Sequence, residues 1–363
     1  VQVDLSIIIV SWNVWDLLRA CLTSIEQTSR ALGAPDDIRA FGPIAQEVQG
    51  AQAPTLEVIV VDNASADATT ELLAARFPWV RLIRSATNLG FTAGNNVGYA
   101  ASRGRNIYFL NPDTELVNPQ HQADPAQPQV AGSDSLWTLY HALQENPSVG
   151  LVGPQLRYGD NTLQSSRRRF PTPLTGFFNE NTLGRYWQQN PWQRALHMAD
   201  WPATFRQEVD WVVGAAMLAR RDALEAIRQP DAVGPFDEDF FMYSEEVDLC
   251  KRLNLAGWKT LYIPDAVVIH YEGKSSSQIV ATTQVHFHRS MIHYYTKYFS
   301  PGWAVMLRHF ALWNMRGQLL IERMKWLLGH KREMRAGRIN VYRQVLATKL
   351  RSGAQVPSPA PPP

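Results

Sequence analysis

Two hydrophobic periods alternate along the first third of the chain. Leu5–Val10 is a continuous, largely β-branched run, as expected of a strand buried on both faces. Behind it Leu17, Leu18, Cys21, Leu22 and Ile25 recur at the spacing of one helix face. Leu56–Val61 repeats the strand pattern. Leu72, Leu73 and Phe77 repeat the helical one, with Asp67 placed to cap it. Val80–Ile83 predicts a short third strand, Asn88–Gly98 a glycine-bearing turn entering a helix, and Ile107–Leu110 a further buried strand. Strand and helix alternating at these lengths predict an α/β fold: a doubly wound, Rossmann-like, mostly parallel sheet flanked by helices.

The Ile107–Leu110 strand stops at Asn111-Pro112-Asp113, because Pro112 has no N–H for a sheet ladder. Asp113 is thereby expected at the carboxyl end of a parallel strand, where open α/β sheets collect ligands. A carboxylate there suits a divalent cation against phosphate oxygens; the plainer alternative is a turn Asp bonded to its own backbone.

After Val149 the pattern shortens. Strands are expected at Leu151–Leu156, Gln164–Arg169 and Val209–Ala219, with Trp187, Trp192 and Trp201 in the loops between. Helices follow at Arg221–Ile227 and through Val247–Leu255, the latter closed by Gly257. Thr260–Ile269 reads as a strand pair broken at Pro264, and His286–Tyr298 and Gly302–Leu328 as helices. Thr28–Thr55 and Asn118–Ser135 read as polar insertions, and 352–363 as a disordered tail.

Composition places the 363 residues among ordinary globular proteins, with 45% hydrophobic and 19% charged. Cys21 and Cys250 sit in helical apolar patterns and read as buried free thiols of a reducing compartment. No signal peptide is expected, since Val3–Val10 is short and carries Asp4. Charge changes the picture more. Thirteen Lys/Arg between Arg289 and Arg351 face only Glu322 and Glu333, a local +11 that leaves −9 on the rest of a chain totalling +2. Such segregation suits an anionic surface.

Three features carry candidate chemistry. Gly90, Gly94 and Gly98 are spaced by four residues, which is not the dinucleotide fingerprint and disfavours a nicotinamide or flavin enzyme. The spacing fits either close helix–sheet packing or a nucleotide contact. Glu245, Glu246 and Asp248 open a helix after the apolar Phe240–Tyr243, where a desolvated carboxylate becomes a better general base. His270 ends a strand, where a structural hydrogen bond is the plain alternative; paired with Asp113 it would make a mixed N/O metal site suiting Mn²⁺ at least as well as Mg²⁺.

With these residues the chain resembles family 2 glycosyltransferases. The resemblance rests on Ser6–Asn13, Val60–Ser65, Asn88–Phe91, Leu110–Thr114, Trp211–Ala215, Phe236–Tyr243 and Glu245–Arg252, in that order. It is nearest to members that transfer rhamnose to lipid-linked sugars in bacterial cell-envelope synthesis. The resemblance implies a GT-A fold, a nucleotide-diphosphosugar donor, a lipid-linked sugar acceptor, a divalent metal (Mn²⁺ or Mg²⁺) and inversion. It implies that Asp62 reads the base, that Trp12, Asn13, Asn88 and Gly90 line the nucleotide pocket, and that Asp113 and His270 hold metal beside Asn111. It also implies that Glu246 is the base, with Glu245 and Asp248 as neighbouring candidates. Two departures stand out: Asn111-Pro112-Asp113 offers one carboxylate where the family motif has two, and Glu245-Glu246 replaces a Glu-Asp pair. A non-catalytic nucleotide-sugar-binding or glycan-binding protein is the alternative these departures leave open.

The expected organisation is a catalytic domain over 1–285, with a nucleotide half (1–117) and an acceptor half (149–285), followed by basic helices over 286–351. Arg167, Arg168 and Arg169 would clamp a diphosphate or simply form a solvated edge. In Gly302–Leu328, Met306, Phe310, Trp313, Leu320, Met324 and Leu327 form one stripe interrupted by too many cations to span a bilayer. It reads as a peripheral contact on the inner face of the cell membrane, in the cytoplasm. The alternatives are packing on the catalytic domain or on a second copy in a homodimer. No nucleic-acid motif accompanies the charge.

Overall fold

The computed structural model describes residues 3–32, 37–42, 53–118, 133–178, 184, 186–187, 189–271 and 280–351. The tail at 352–363, most of the Asn118–Ser135 insertion and the middle of the Thr28–Thr55 insertion lie outside these residues.

Fourteen strands are labelled here. They are β1 Val3–Ser11, β2 Ser29–Ala31, β3 Arg39–Phe41, β4 Thr55–Asp62, β5 Arg81–Arg84, β6 Gly104–Leu110, β7 Thr114–Leu116, β8 Val149–Arg157, β9 Leu163–Gln164, β10 Arg167–Arg168, β11 Gln207–Val209, β12 Trp211–Val212, β13 Ala216–Arg220 and β14 Lys259–His270. The main sheet runs β11-β14-β8-β13-β6-β1-β4-β3-β2, while β10 and β12 pair separately. β4, β1 and β6 are parallel, as the alternating pattern predicts, and β5 joins β4 in parallel. The second half is also parallel between β8 and β14. What joins the halves is β13, antiparallel to both β6 and β8.

Two expectations are corrected. Thr260–Ile269 is one strand within β14, not a pair. Its pairing with β8 shifts between Ile263 and Val267, so Pro264 sits in a bulge and the ladder resumes. The described ends of the Thr28–Thr55 insertion are not plain loop: β2 and β3 form a hairpin on the outer edge of β4.

Two of the three spaced glycines, Gly94 and Gly98, pack against the sheet. A Cβ on Gly94 would lie 2.9 Å from Val10 Cγ1, and one on Gly98 would collide with Ile8 Cγ2. Helix Gly90–Ala101 therefore rests directly on β1, and its absent side chains permit that approach. Beneath it Leu5, Ile7, Ile8 and Ile9 are fully buried. At the far rim Glu57 is buried, accepting from Ser6 Oγ at 2.6 Å and from Arg103 Nε at 2.8 Å.

The chain divides into two compact units. The first comprises 1–170, 201–238 and 245–275; the second comprises 171–200, 239–244 and 276–363. Residues 171–200 and 239–244, expected in the acceptor half, thus group with the C-terminal helices. In the second unit, helices Val280–Tyr298, Pro301–Leu327 and Arg332–Thr348 share a small core of Ala281, Val285, Ala311, Leu312, Met315 and Val345. Among the described residues no helix is long and apolar enough to cross a membrane.

Candidate functional site

Every candidate site residue lies in the first unit. β4, β1 and β6 end along one rim, and three groups of side chains gather there.

The first group follows β1 and β4. Ser11 pairs with Asp62 at the ends of the two strands. Asn13 adopts a left-handed conformation (φ 52°), which Asn tolerates better than most residues. Its N–H donates to Ser65 Oγ at 3.0 Å, and its Oδ1 accepts from Ala66 N–H at 2.7 Å. Trp12 beside it is partly exposed. Asp62 is buried; its Oδ2 accepts from Ser65 N–H, whereas Oδ1 is buried with no partner among the described residues. An acceptor left in that state is costly unless a ligand N–H completes it. Asn63 spans to the glycine turn, donating to Gly90 O at 2.8 Å, and Asn88 Oδ1 accepts from Gly90 N–H at 2.9 Å. Gly90 itself needs a positive φ of 81°.

The second group is built by β7 lying antiparallel to β14, which sets Thr114 opposite His270. Tyr271 N–H donates to Asp113 O at 2.9 Å and closes the junction. His270 Nε2 then stands 3.5 Å from Asp113 Oδ1, both side chains buried. His270 Nδ1 lies 3.0 Å from Gln164 Oε1. An amide oxygen only accepts, so Gln164 takes a hydrogen bond from Nδ1–H and leaves Nε2 facing the carboxylate. A ring nitrogen and a carboxylate oxygen facing each other at this spacing would suit a shared divalent cation. Asn111 Oδ1 is buried without a partner among the described residues.

The third group is the acid cluster opening helix Glu245–Leu255. Burial raises the Glu245 carboxyl well above the usual range, and the neighbouring Glu246 and Asp248 charges add to it. Burial also pushes Glu246 up to about 7, against the pull of the Glu246 and Val247 N–H groups and of Arg168. One oxygen of each, Oε2, is buried without a partner among the described residues. Asp248 is different: fully buried, it accepts from Arg252 Nε at 2.8 Å, one turn along the same helix. That bond ties Asp248 to its own helix.

The second and third groups meet through backbone. A Cβ on Gly214 would lie 3.3 Å from Glu246 Cβ, so the chain entering β13 is backed against the base candidate. The next residue, Ala215, accepts from Asn111 N–H at 2.9 Å. Glu246 is thus linked to the turn carrying Asp113 by two consecutive residues.

Some expectations shift. Phe240, Phe241 and Tyr243 fall in the second unit, where their rings lie on His293, His286 and Phe287. Of the three arginines, Arg167 reaches Trp201 O and Gln207, and Arg169 bonds Asp210 Oδ1 at 3.1 Å. Both therefore organise loops, while Arg168 alone exerts its field on Glu246. Gln164 carries no sequence signal for its part in the site, whereas Ser65, Asn63 and Gly214 fall inside the motif blocks without being singled out there.

Ligand-type side chains gathered along the carboxyl rim of an α/β sheet define a ligand-binding class of fold. The model for "Glycosyl transferase family 2" matches residues 6–120, and that for "Glycosyltransferase like family 2" matches residues 138–284. An N-acetylglucosaminyl-diphospho-decaprenol L-rhamnosyltransferase of Mycobacterium tuberculosis is 32% identical over 270 residues, covering 73% of this chain and 81% of that protein. Rhamnosyltransferase WbbL of Escherichia coli is 44% identical over 63 residues, 17% of this chain and 22% of its own. A mannosyltransferase structure from Pyrobaculum calidifontis, in complex with GDP-Man and Mn²⁺, aligns over 96% of this chain and 87% of its own with TM-score 0.47 and 13% identity. The chain belongs to glycosyltransferase family 2 and is a glycosyltransferase of mixed α/β architecture.

Proposed function

We propose that the enzyme is an inverting, metal-dependent rhamnosyltransferase. It moves L-rhamnose from dTDP-L-rhamnose onto a hydroxyl of a lipid-diphosphate-linked N-acetylglucosamine, in building a cell-envelope polysaccharide. The name of the mycobacterial relative supports the rhamnosyl group and the lipid-diphosphate acceptor. The observation that carries the chemistry is the link from Glu246 through Gly214 and Ala215 to the turn bearing Asp113.

In this reading Asp62 Oδ1 accepts from the imide N–H of the pyrimidine, with Trp12, Asn13, Asn88 and Gly90 around the nucleotide. Asn111 borders the diphosphate. Asp113 and His270 hold Mn²⁺ or Mg²⁺, which when bound neutralises charge developing on the leaving diphosphate. Glu246 removes the acceptor hydroxyl proton as the oxygen attacks the anomeric carbon opposite the leaving group, giving inversion in one displacement. Burial raises both carboxyls, Glu245 well above the usual range and Glu246 to about 7, so Glu246 is the one placed to change charge near neutrality. The reaction belongs at the inner face of the cell membrane, where a cytoplasmic nucleotide sugar meets a lipid-borne acceptor.

Purified protein given Mn²⁺ or Mg²⁺, dTDP-L-rhamnose and a prenyl-diphosphate N-acetylglucosamine is expected to release dTDP and form the disaccharide lipid. Release from UDP-hexose or GDP-mannose instead would reassign the donor. No release from any donor and acceptor would overturn the enzymatic reading.

A further inference from the structure

The outward stripe of helix Pro301–Leu327 is not packed on protein. The helix buries Ala304, Leu307, Ala311, Leu312 and Met315, yet Trp313 is 69%, Leu320 60% and the following Leu328 82% exposed. Met306, Met324 and Leu327 on the same outer side are exposed as well. A helix with two apolar faces, one in the core and one in water, has a second partner to find.

The exposed face does not end with the helix. Phe310 lies 6.2 Å from Trp313 and 5.2 Å from Phe177, which also meets Trp303. The adjoining Phe178 stacks on Trp192 and meets Trp187, itself about half exposed. Side chains far apart in sequence thus form one aromatic belt, all within the second unit. Beside it stand the exposed cations Arg316, Arg323, Lys325, Lys331 and Arg332. Of the two acids in 301–351, Glu322 is buried and accepts from Arg335 Nη1 at 2.8 and 2.7 Å, leaving Glu333 exposed alone.

We propose that this belt is a docking surface for a bilayer carrying anionic phospholipid. The inference rests on the lipid-linked acceptor proposed above. Tryptophan and phenylalanine suit the headgroup boundary, and flanking arginines and lysines suit its negative potential. A second copy fits less well, because apposing two such faces would bring like charges together. At about 40 Å, the helix is long enough to lie along the surface.

Vesicle flotation tests the proposal. The full chain is expected to float with phosphatidylglycerol vesicles, to remain below with pure phosphatidylcholine, and to be released by high salt. Trp313→Glu with Leu320→Glu is expected to lower the bound fraction at least about tenfold. Arg316→Glu with Arg323→Glu should act in the same direction, and neither pair should alter turnover of a short-chain, water-soluble acceptor. A wild-type chain that stays below every vesicle, or floats undiminished after both pairs of substitutions, overturns the docking surface. So does light scattering in which Trp313→Glu turns a dimer into a monomer while flotation is unchanged. Retained turnover in those cases separates this failure from failure of the enzymatic reading.

Discussion

Glu246 is the proposed base, and its environment fixes how it answers to pH. With its acidity moved to about 7, the base is ionised above neutrality and protonated below it. kcat/KM is expected to fall on the acid side with an inflection near 7. Glu246→Gln should remove that limb and cost about 10²–10⁴ in rate, measured as nucleotide diphosphate release. Glu245 yields a stability prediction of definite sign. Its carboxyl is raised in the folded chain, so ionising the unfolded chain first penalises the fold as pH climbs above the ordinary carboxylate range. Glu245→Gln should therefore raise the melting temperature at pH 8 and leave it nearly unchanged near pH 4. Gln164 fixes the His270 ring, so Gln164→Leu should weaken activation by Mn²⁺ about 10–100-fold without altering the metal-free fold. The acid cluster and Asp113 were legible in the chain because each follows a recognisable break in pattern. Gln164 was not: it lies on a two-residue strand with no periodicity to mark it.

At the scale of elements, burial on both faces made β1, β4 and β6 readable, since such strands are continuous apolar runs. The direction of β13 was not readable, because an inner antiparallel strand with both faces covered has the same apolar pattern as a parallel one. The bulge at Pro264 misled for a related reason. Proline removes one ladder bond, but a strand can absorb that loss in one irregular step. Nor does spacing announce that β7 and β14 adjoin, although that pairing brings Asp113 to His270. The Glu57 cluster gives an element-scale prediction. Glu57→Ala strands Ser6 Oγ and the Arg103 N–H groups at the starts of β1 and β6, and should cost about 2–4 kcal/mol by denaturant unfolding.

For the whole molecule, the segregation of charge matches a division of labour. The first unit carries every candidate catalytic residue, whereas the second carries the aromatic belt and its cations. Charge asymmetry was plain in the sequence, but the belt was not, since Phe177, Trp187 and Trp313 come together only through folding. One consequence follows from the reversed strand at the seam of the sheet. Because β13 runs against its neighbours, its beginning abuts Glu246 while its end, at Arg220, bonds Val149 O at the opposite margin. The exposed turn Asn146–Ser148 shares that margin. A reporter peptide spliced there would leave the reaction undisturbed, but the same graft between Val213 and Ala216 would silence it.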